Sequence, residues 1–180
     1  MIPMPDKLTL QQRHHCMQSI RSRDTRPEWI VRRFLFKHGF RYRLQVKRLP
    51  GRPDIVMRRL GVCIFINGCF WHGHEGCRYF VVPKTRTEWW TEKFRRNQER
   101  DARVQKELKA LGWRVITIWE CELKPARREE TLQRLLTMLR KIEVPVLLKE
   151  LRKTVSYANS YSDDVLLMAA EDEEEYSYNK

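Results

Sequence analysis

The chain has 180 residues, 42 % of them apolar, which suits one globular domain with a modest core. Its 36 Lys and Arg outnumber 23 Asp and Glu for a formal charge of +13, while 11 % aromatics and six Trp are too many for a disordered polyelectrolyte. No apolar run approaches the roughly 20 residues that cross a bilayer, and residues 1–7 lack the apolar stretch of a secretory signal, so neither a membrane protein nor a secreted one is expected.

Residues 9–23 read as a basic helix with sparse apolar positions around them at Leu8, Cys16, Met17 and Ile20. Asp24, Thr25 and Arg26 ahead of Pro27 and Glu28 mark the start of a second helix, to which Trp29, Ile30, Phe34 and Leu35 give a core face and Gly39 a stop. Residues 40–46 alternate apolar and polar as a half-buried strand does, and Pro50, Gly51, Arg52 and Pro53 force a turn. Two short strands follow at 54–57 and 62–66, the second a continuous apolar run suited to burial on both faces. Residues 67–84 mix glycine, cysteine, histidine and aromatics without a period, a loop in need of a further constraint. A long charged helix over 87–111 ends at Gly112, residues 113–119 read as another buried strand, and 128–141 as a closing amphipathic helix. The order αα-βββ-loop-α-β-α predicts a single α/β domain around a small mixed central sheet flanked by helices. With no glycine-rich phosphate turn after the first strand, it is not a dinucleotide fold.

The charge is unevenly spread. Residues 154–180 hold seven acids (Asp163, Asp164, Glu171, Asp172, Glu173, Glu174, Glu175) and one base, Lys180, which leaves 35 bases against 16 acids on residues 1–153. Such a surplus favours a polyanion, because each Lys or Arg laid on a phosphate releases condensed counterions. Nucleic acid is therefore the expected partner of a domain spanning 1–153, with 154–180 a flexible acidic tail.

Cys69, His74 and Cys77 in the loop, with Cys121 after the last strand, form a set of three thiolates and one imidazole, the closed tetrahedral arrangement of structural zinc. A loop of 18 irregular residues costs much ordering entropy, and zinc returns on the order of 10 kcal/mol at neutral pH. Nothing points to the oxidising compartment that disulfides need. Cys16 and Cys63 read as packing residues, and His14 and His15, adjacent on a helix, point different ways and make a poor ligand pair.

Phe70, Trp71 and His72 lie between the first two of these ligands, so a metal would display them rigidly. Two readings stand for the rings: a wedge between base pairs, whose unstacking cost is recovered by base–aromatic contact, or a small core around the metal. Asp54 opens one strand and Ile66 closes the next; a carboxylate beside a main-chain carbonyl offers hard oxygens suited to magnesium on a phosphate, although turns also use Pro–Asp pairs freely.

The segments Leu49-Pro-Gly-Arg-Pro-Asp54, Val62-Cys-Ile-Phe-Ile-Asn-Gly-Cys-Phe-Trp-His72, Pro83-Lys-Thr-Arg-Thr-Glu-Trp-Trp90, Asn97-Gln-Glu-Arg-Asp101, Leu111-Gly-Trp-Arg-Val115 and Trp119-Glu-Cys121 closely resemble the very short patch repair (Vsr) mismatch endonucleases, in order from about residue 6 to about 139. The resemblance implies a fold related to type II restriction endonucleases. It also implies nicking of duplex DNA next to a T·G mismatch left by deamination of 5-methylcytosine. By the same resemblance Asp54 binds magnesium together with the main-chain carbonyl of Ile66, His72 is the acid/base group, and Asp101 orients it. A carboxylate beside an imidazole fixes one tautomer and stabilises the imidazolium. Glu28 matches an acidic position near the family's metal, though a carboxylate at a helix N-terminus is favourable in any protein.

Cys69, His74, Cys77 and Cys121 match the family's structural zinc. Phe70, Trp71 and Trp90 match its intercalating aromatics, and Met17 a wedge on the first helix (about 8–23) that contacts DNA. Asn67 departs from the family pattern, which has a histidine there; an amide can hold a phosphate or water but carries no proton. The His74–Cys77 gap is one residue longer than usual, and the acidic tail has no counterpart. The resemblance implies a cytoplasmic, nucleoid-associated monomer of bacterial type. Its partners would be mismatched duplex DNA, mismatch-repair proteins and a cognate cytosine-5 methyltransferase system. Two rival readings stand: a zinc-containing DNA-binding module without catalysis, and a nuclease of the same fold with another mismatch or site.

Overall fold

The computed structural model describes residues 9–19 and 23–178; in the first helix the side chains of Leu10, Arg13, Cys16, Met17 and Ser19, and all those after Leu151, lie outside the described set. The wedge expected at Met17 and the side chains of the tail expected over 154–180 therefore fall outside the described set.

Strand alternation sets the architecture. In β1 (Ile55–Met57), Ile55 and Met57 join one core cluster and Val56 a second; in β2 (Val62–Asn67), Val62 and Ile64 join the first and Cys63 the second. The two strands pair antiparallel through a tight turn at Arg58–Leu60, closed by Gly61 in the left-handed region (φ +63°) that suits a residue without Cβ. β3 (Arg114–Trp119) lies parallel to β2, which demands a crossover, and helix α3 (Thr87–Ala110) belongs to it. The sheet order is β1-β2-β3, a small mixed sheet.

Each face of the sheet meets helices. Val31 and Leu35 of α2 (Arg26–Lys37) and Leu132, Leu135 and Leu139 of α4 (Pro125–Tyr178) cover the first; Val104 and Leu108 of α3 cover the second. The short helix α1 (Leu10–Ser19) opens on Thr9, whose hydroxyl accepts from Gln12 N while Gln12 Oε1 accepts from Thr9 N, a reciprocal cap.

The structure corrects four sequence expectations. Residues 40–46 do not form a strand: Arg43 makes a single bridge to Val56, and Gln45 at φ +44° breaks the extended run just beyond it. On α2, Trp29 is 53 % exposed, because the buried face runs through Glu28, Val31, Arg32 and Leu35. Arg32 pairs with Glu28, so the two opposite charges are buried together. β3 is only partly buried, since nothing pairs with its outer edge among the described residues. Finally, α4 starts at Pro125 and continues through Pro145 well beyond residue 141.

The register brings four functional positions to one end of the sheet. Asp54 immediately precedes β1, Ile66 and Asn67 end β2, and Asn67 pairs with Trp119 at the end of β3.

Candidate functional site

At that end of the sheet, Asp54 Oδ2 accepts a hydrogen bond from the Ile66 backbone N–H at 2.8 Å, so strand pairing itself fixes the carboxylate. Burial pushes the Asp54 carboxyl up to about 6; the charge of Glu28 adds to the effect, and the Ile66 N–H, Arg32 and His72 oppose it. Glu28 is buried on α2. Its carboxylate accepts from Thr25 N (3.3 Å), Thr25 Oγ1 (2.8 Å), Asp24 N (3.1 Å) and the Arg32 guanidinium, so it caps its own helix while facing the same cavity as Asp54.

The loop after β2 supplies the imidazole. His72 Nδ1 lies 2.5 Å from Asp101 Oδ2 on α3, with both side chains about a quarter exposed (24 % and 23 %). Burial is the largest single influence on the Asp101 carboxyl and acts to raise it, yet the His72 and Arg100 contacts together hold it below its ordinary value. With Nδ1 engaged by Asp101, Nε2 is the ring nitrogen left for a substrate or water. Asp54, Glu28, Asn67, His72, Arg52 and Arg100 all wall one cavity of 1090 Å³. Asn67 and His72 also wall a neighbouring cavity of 560 Å³, to which Lys47, Arg52 and Arg100 bring positive charge. Asn67 is only 7 % exposed, so its amide sits where the two cavities meet.

Behind His72, Cys69, His74, Cys77 and Cys121 bring their ligand atoms within 4.8 Å of one another. His74 Nδ1 is 3.5 Å from both Cys69 Sγ and Cys121 Sγ. A tetrahedral zinc with Zn–S of about 2.3 Å and Zn–N of about 2.0–2.1 Å separates sulfur from nitrogen by about 3.5 Å, so the donor set fits zinc in both chemistry and spacing. Burial pushes the Cys69 thiol up to about 12, a cost that a bound cation reverses. Trp119 stacks on the His74 ring (3.9 Å, 8°) and meets His72 edge-on at 6.5 Å, so one indole touches both the ligand cluster and the His72 pair.

The aromatic residues form a patch on α3. Phe70 meets Trp71, Trp90 and Phe94 at 5.1–5.2 Å, and Trp90 stacks on Phe94 at 5.6 Å. Phe94 is buried, whereas Phe70, Trp71 and Trp90 remain half-buried, packed on the helix rather than closed around the ligand cluster. Two amides of α3 pin the loop backbone beneath them: Asn97 Nδ2 donates to Trp71 O (2.8 Å) and Gln98 Nε2 to Gly73 O (2.9 Å). Gly73 is required there, for its φ is +59° and a Cβ would come within 2.8 Å of Gln98 Nε2.

The structure thus brings Asp54, Glu28, Ile66 and His72 to one cavity, with Asp101 behind His72 and the four-ligand cluster behind the loop. Sequence reasoning missed Lys93, whose ammonium lies over the rings of Trp71, Trp89 and Trp90 at 4.8–5.4 Å, and it missed Asn97, Gln98 and Trp119 as positioning groups. A signal for α3 was present. Trp90, Phe94, Asn97 and Asp101 recur at helical spacing on one face, which continues into buried Val104 and Leu108.

Comparison with known proteins places these residues in context. A family model described as DNA mismatch endonuclease Vsr matches residues 5–78. The type II nicking enzyme V.XorIIP of Xanthomonas oryzae pv. oryzae is 48 % identical over 120 residues, covering 67 % of this chain and 88 % of that protein. The type II nicking enzyme V.NmeAIP of Neisseria meningitidis is 47 % identical over 121 residues, covering 67 % and 86 %. The DNA mismatch endonuclease Vsr of Escherichia coli is 45 % identical over 124 residues, covering 69 % and 77 %.

Proposed function

Because this chain belongs to the Vsr family of DNA mismatch endonucleases, we propose that it is an enzyme that nicks one strand of duplex DNA at a T·G mismatch by magnesium-dependent hydrolysis of a phosphodiester. One observation carries the reading: Asp54 and His72, the latter held from behind by Asp101, face a single cavity lined with Arg52 and Arg100. A carboxylate, an oriented imidazole and cations that attract phosphate are what hydrolysis of a phosphodiester needs, and the half-buried rings of Trp71 and Trp90 stand beside them.

Asp54 and the main-chain carbonyl of Ile66 would hold magnesium, and their hard oxygens fit that ion. Asp54 and Glu28 face one cavity, and the Glu28 charge adds to the cost of ionising Asp54, a cost that a bound cation would offset. When bound, magnesium supplies Lewis-acid polarisation of the phosphate and stabilises the leaving oxygen. The chain's own groups do the rest. His72 Nε2 takes the proton of the attacking water as its oxygen bonds to phosphorus, the bond from phosphorus to the bridging oxygen breaks and that oxygen takes a proton from solvent, and Asp101 holds the ring and stabilises the imidazolium. Glu28, already engaged by Thr25 and Arg32, acts through its charge at the cavity wall. Asn67 offers the phosphate a hydrogen bond and no proton, so proton transfer falls on His72.

Cys69, His74, Cys77 and Cys121 would hold zinc, whose part is to keep the loop folded. The rings of Phe70, Trp71 and Trp90, with Met17, would enter the base stack, favouring a mismatched step because it unstacks at lower cost. The domain over 1–153, with a restriction-endonuclease-like fold, performs this chemistry, and the acidic tail over 154–180 takes no part in it. No described helix is long and apolar enough to cross a membrane. The setting that goes with the activity is the bacterial cytoplasm and nucleoid, with mismatch-repair proteins and a cytosine-5 methyltransferase as partners.

The test is nicking of a T·G-containing duplex against the fully paired duplex in magnesium, across a panel of mismatches and contexts. We expect cleavage confined to the mismatch. Equal rates on both substrates reject mismatch specificity and favour a site-specific nicking enzyme; binding without cleavage under any divalent metal favours a DNA-binding module.

A further inference from the structure

The proposed hydrolysis takes place in the larger cavity and leaves the 560 Å³ cavity beside it without a task. Leu49, Phe65 and Val104 of the second core cluster give this smaller cavity an apolar floor, and Lys47, Arg52 and Arg100 stand on its rim. The acid on its wall, Asp101, is already engaged by His72 and Arg100. Cations above an apolar floor attract an anion more strongly than the same charges do in open water.

Two of these cations carry charge that the fold does not use. On α3, Arg95, Arg96 and Arg103 pair with Glu92, Glu99 or Glu107 of the same helix and are neutralised there. Among the described residues neither Lys47 nor Arg52 has an ion-pair partner, so both are free for a ligand. The turn also directs Arg52. Gly51 (φ +66°) and Arg52 (φ +49°) are both left-handed, Arg52 N donates to Leu49 O at 3.2 Å, and a Cβ on Gly51 would collide with Val104, so the turn lies close against α3. A residue with a side chain adopts that conformation at a cost, and an arginine held there marks a place where its direction matters.

The placement of the two cavities identifies the anion. They share Arg52, Asn67, His72 and Arg100, whereas Asp54 lies on the larger alone and Lys47 on the smaller alone. A strand whose scissile phosphate sits between Asp54 and His72 Nε2 reaches the smaller cavity on the far side of the imidazole. Resting on the reading that the larger cavity hydrolyses a phosphodiester, we propose that the smaller one is a subsite for the adjoining phosphate of the nicked strand. Lys47 and Arg52 hold that phosphate, and its deoxyribose lies on the apolar floor. Arg52, on the wall of both cavities, spans the two phosphates. The task of the subsite is placement: binding energy from a phosphate that does not react holds the one that does against His72.

The test places one neutral methylphosphonate in turn at each phosphate flanking the cut in a T·G duplex, and measures nicking in magnesium and affinity without divalent metal. In the wild type, neutralising one of the two adjoining phosphates lowers both by about tenfold, as for a lost charged hydrogen bond. Lys47→Ala lowers them to the same extent and flattens the fall of log affinity with log salt by about one phosphate contact. In that variant the neutral linkage costs nothing further. Lys47→Glu loses more on the natural strand and regains part of it on the neutral linkage, a rescue that a merely structural lysine does not give. Lys47 is exposed, so the thermal melts of both variants stay at the wild-type value. Losses from the linkage and from Lys47→Ala that multiply overturn the subsite alone. So does a wild type indifferent to neutralisation at both adjoining phosphates, or a Lys47→Glu rescue found only at more distant ones. A wild-type chain that nicks no duplex overturns the proposed function first, and the subsite with it.

Discussion

Asp54 is held by the sheet, through strand register and the Ile66 N–H, whereas His72 rides on a loop without regular structure that is held by a ligand cluster, two amides from α3 and the Asp101 contact. The two groups face one cavity, yet perturbing one support should leave the other standing. A strand holds its side chains through backbone hydrogen bonds that any sequence of suitable pattern forms. The loop depends on a few named side chains, each of which can be removed.

The largest effect follows from dissolving the loop's clamp. Chelation of the proposed zinc, or Cys77→Ser, should remove binding free energy on the order of 10 kcal/mol from the folded state and with it the ordering of residues 67–84. Tryptophan fluorescence should change as the Trp71 and Trp90 contacts are lost, and nicking should stop, while amides of β1 and β2 keep slow hydrogen exchange. Simultaneous exchange of the sheet would show that the two supports are one unit. Asp54→Ala is the complementary case. Losing the carboxylate proposed to hold magnesium, worth several kcal/mol of transition-state stabilisation, should lower nicking by about 10³-fold or more. The melting temperature and affinity for mismatched duplex should stay near wild type. Activity unaffected by this change would remove Asp54 from the reaction.

Asp101→Asn tests the link between the halves. The amide can turn its NH₂ toward Nδ1, which places the ring proton on Nε2 and blocks its use as a base; the loss in nicking rate should be about 10²-fold, with KM for DNA little changed. A rise in KM with an unaltered maximal rate would make Asp101 a strut for the loop instead of a partner in proton transfer.

These contrasts also show which parts of the molecule were legible in the sequence. The ligand cluster was, because Cys69, His74, Cys77 and Cys121 announce themselves by residue type and the structure brings their ligand atoms within 4.8 Å. β1 and β2 were, because each is short, apolar and bounded by turn residues. Residues 40–46 alternate as well as any strand does, but periodicity carries no information about a partner edge, and Gln45 leaves the extended region after one bridge. The buried face of α2 was misread because Glu28 and Arg32 neutralise each other inside the fold, and hydrophobic periodicity counts both as polar. The positioning amides of α3 were hidden for a related reason: Asn97 and Gln98 look like ordinary polar helix residues until the loop's carbonyls are placed above them.

The smallest expected effect concerns one of those amides. Asn97 donates to Trp71 O at 2.8 Å, a neutral hydrogen bond at the edge of the cavity. Such a bond contributes a net 0.5–1.5 kcal/mol or so, so Asn97→Ala should lower nicking by roughly tenfold at most. Its signature is selective. The ligand cluster and the His72–Asp101 contact remain, whereas the backbone that carries the Trp71 ring is freed, so the ratio of T·G to fully paired cleavage should fall more than the rate itself. Asn97→Asp sharpens the point, because a carboxylate facing the Trp71 carbonyl can only repel it and should reduce discrimination beyond the alanine variant. An equal fall on both substrates would mean that Asn97 supports the fold of the loop and not the placement of the ring.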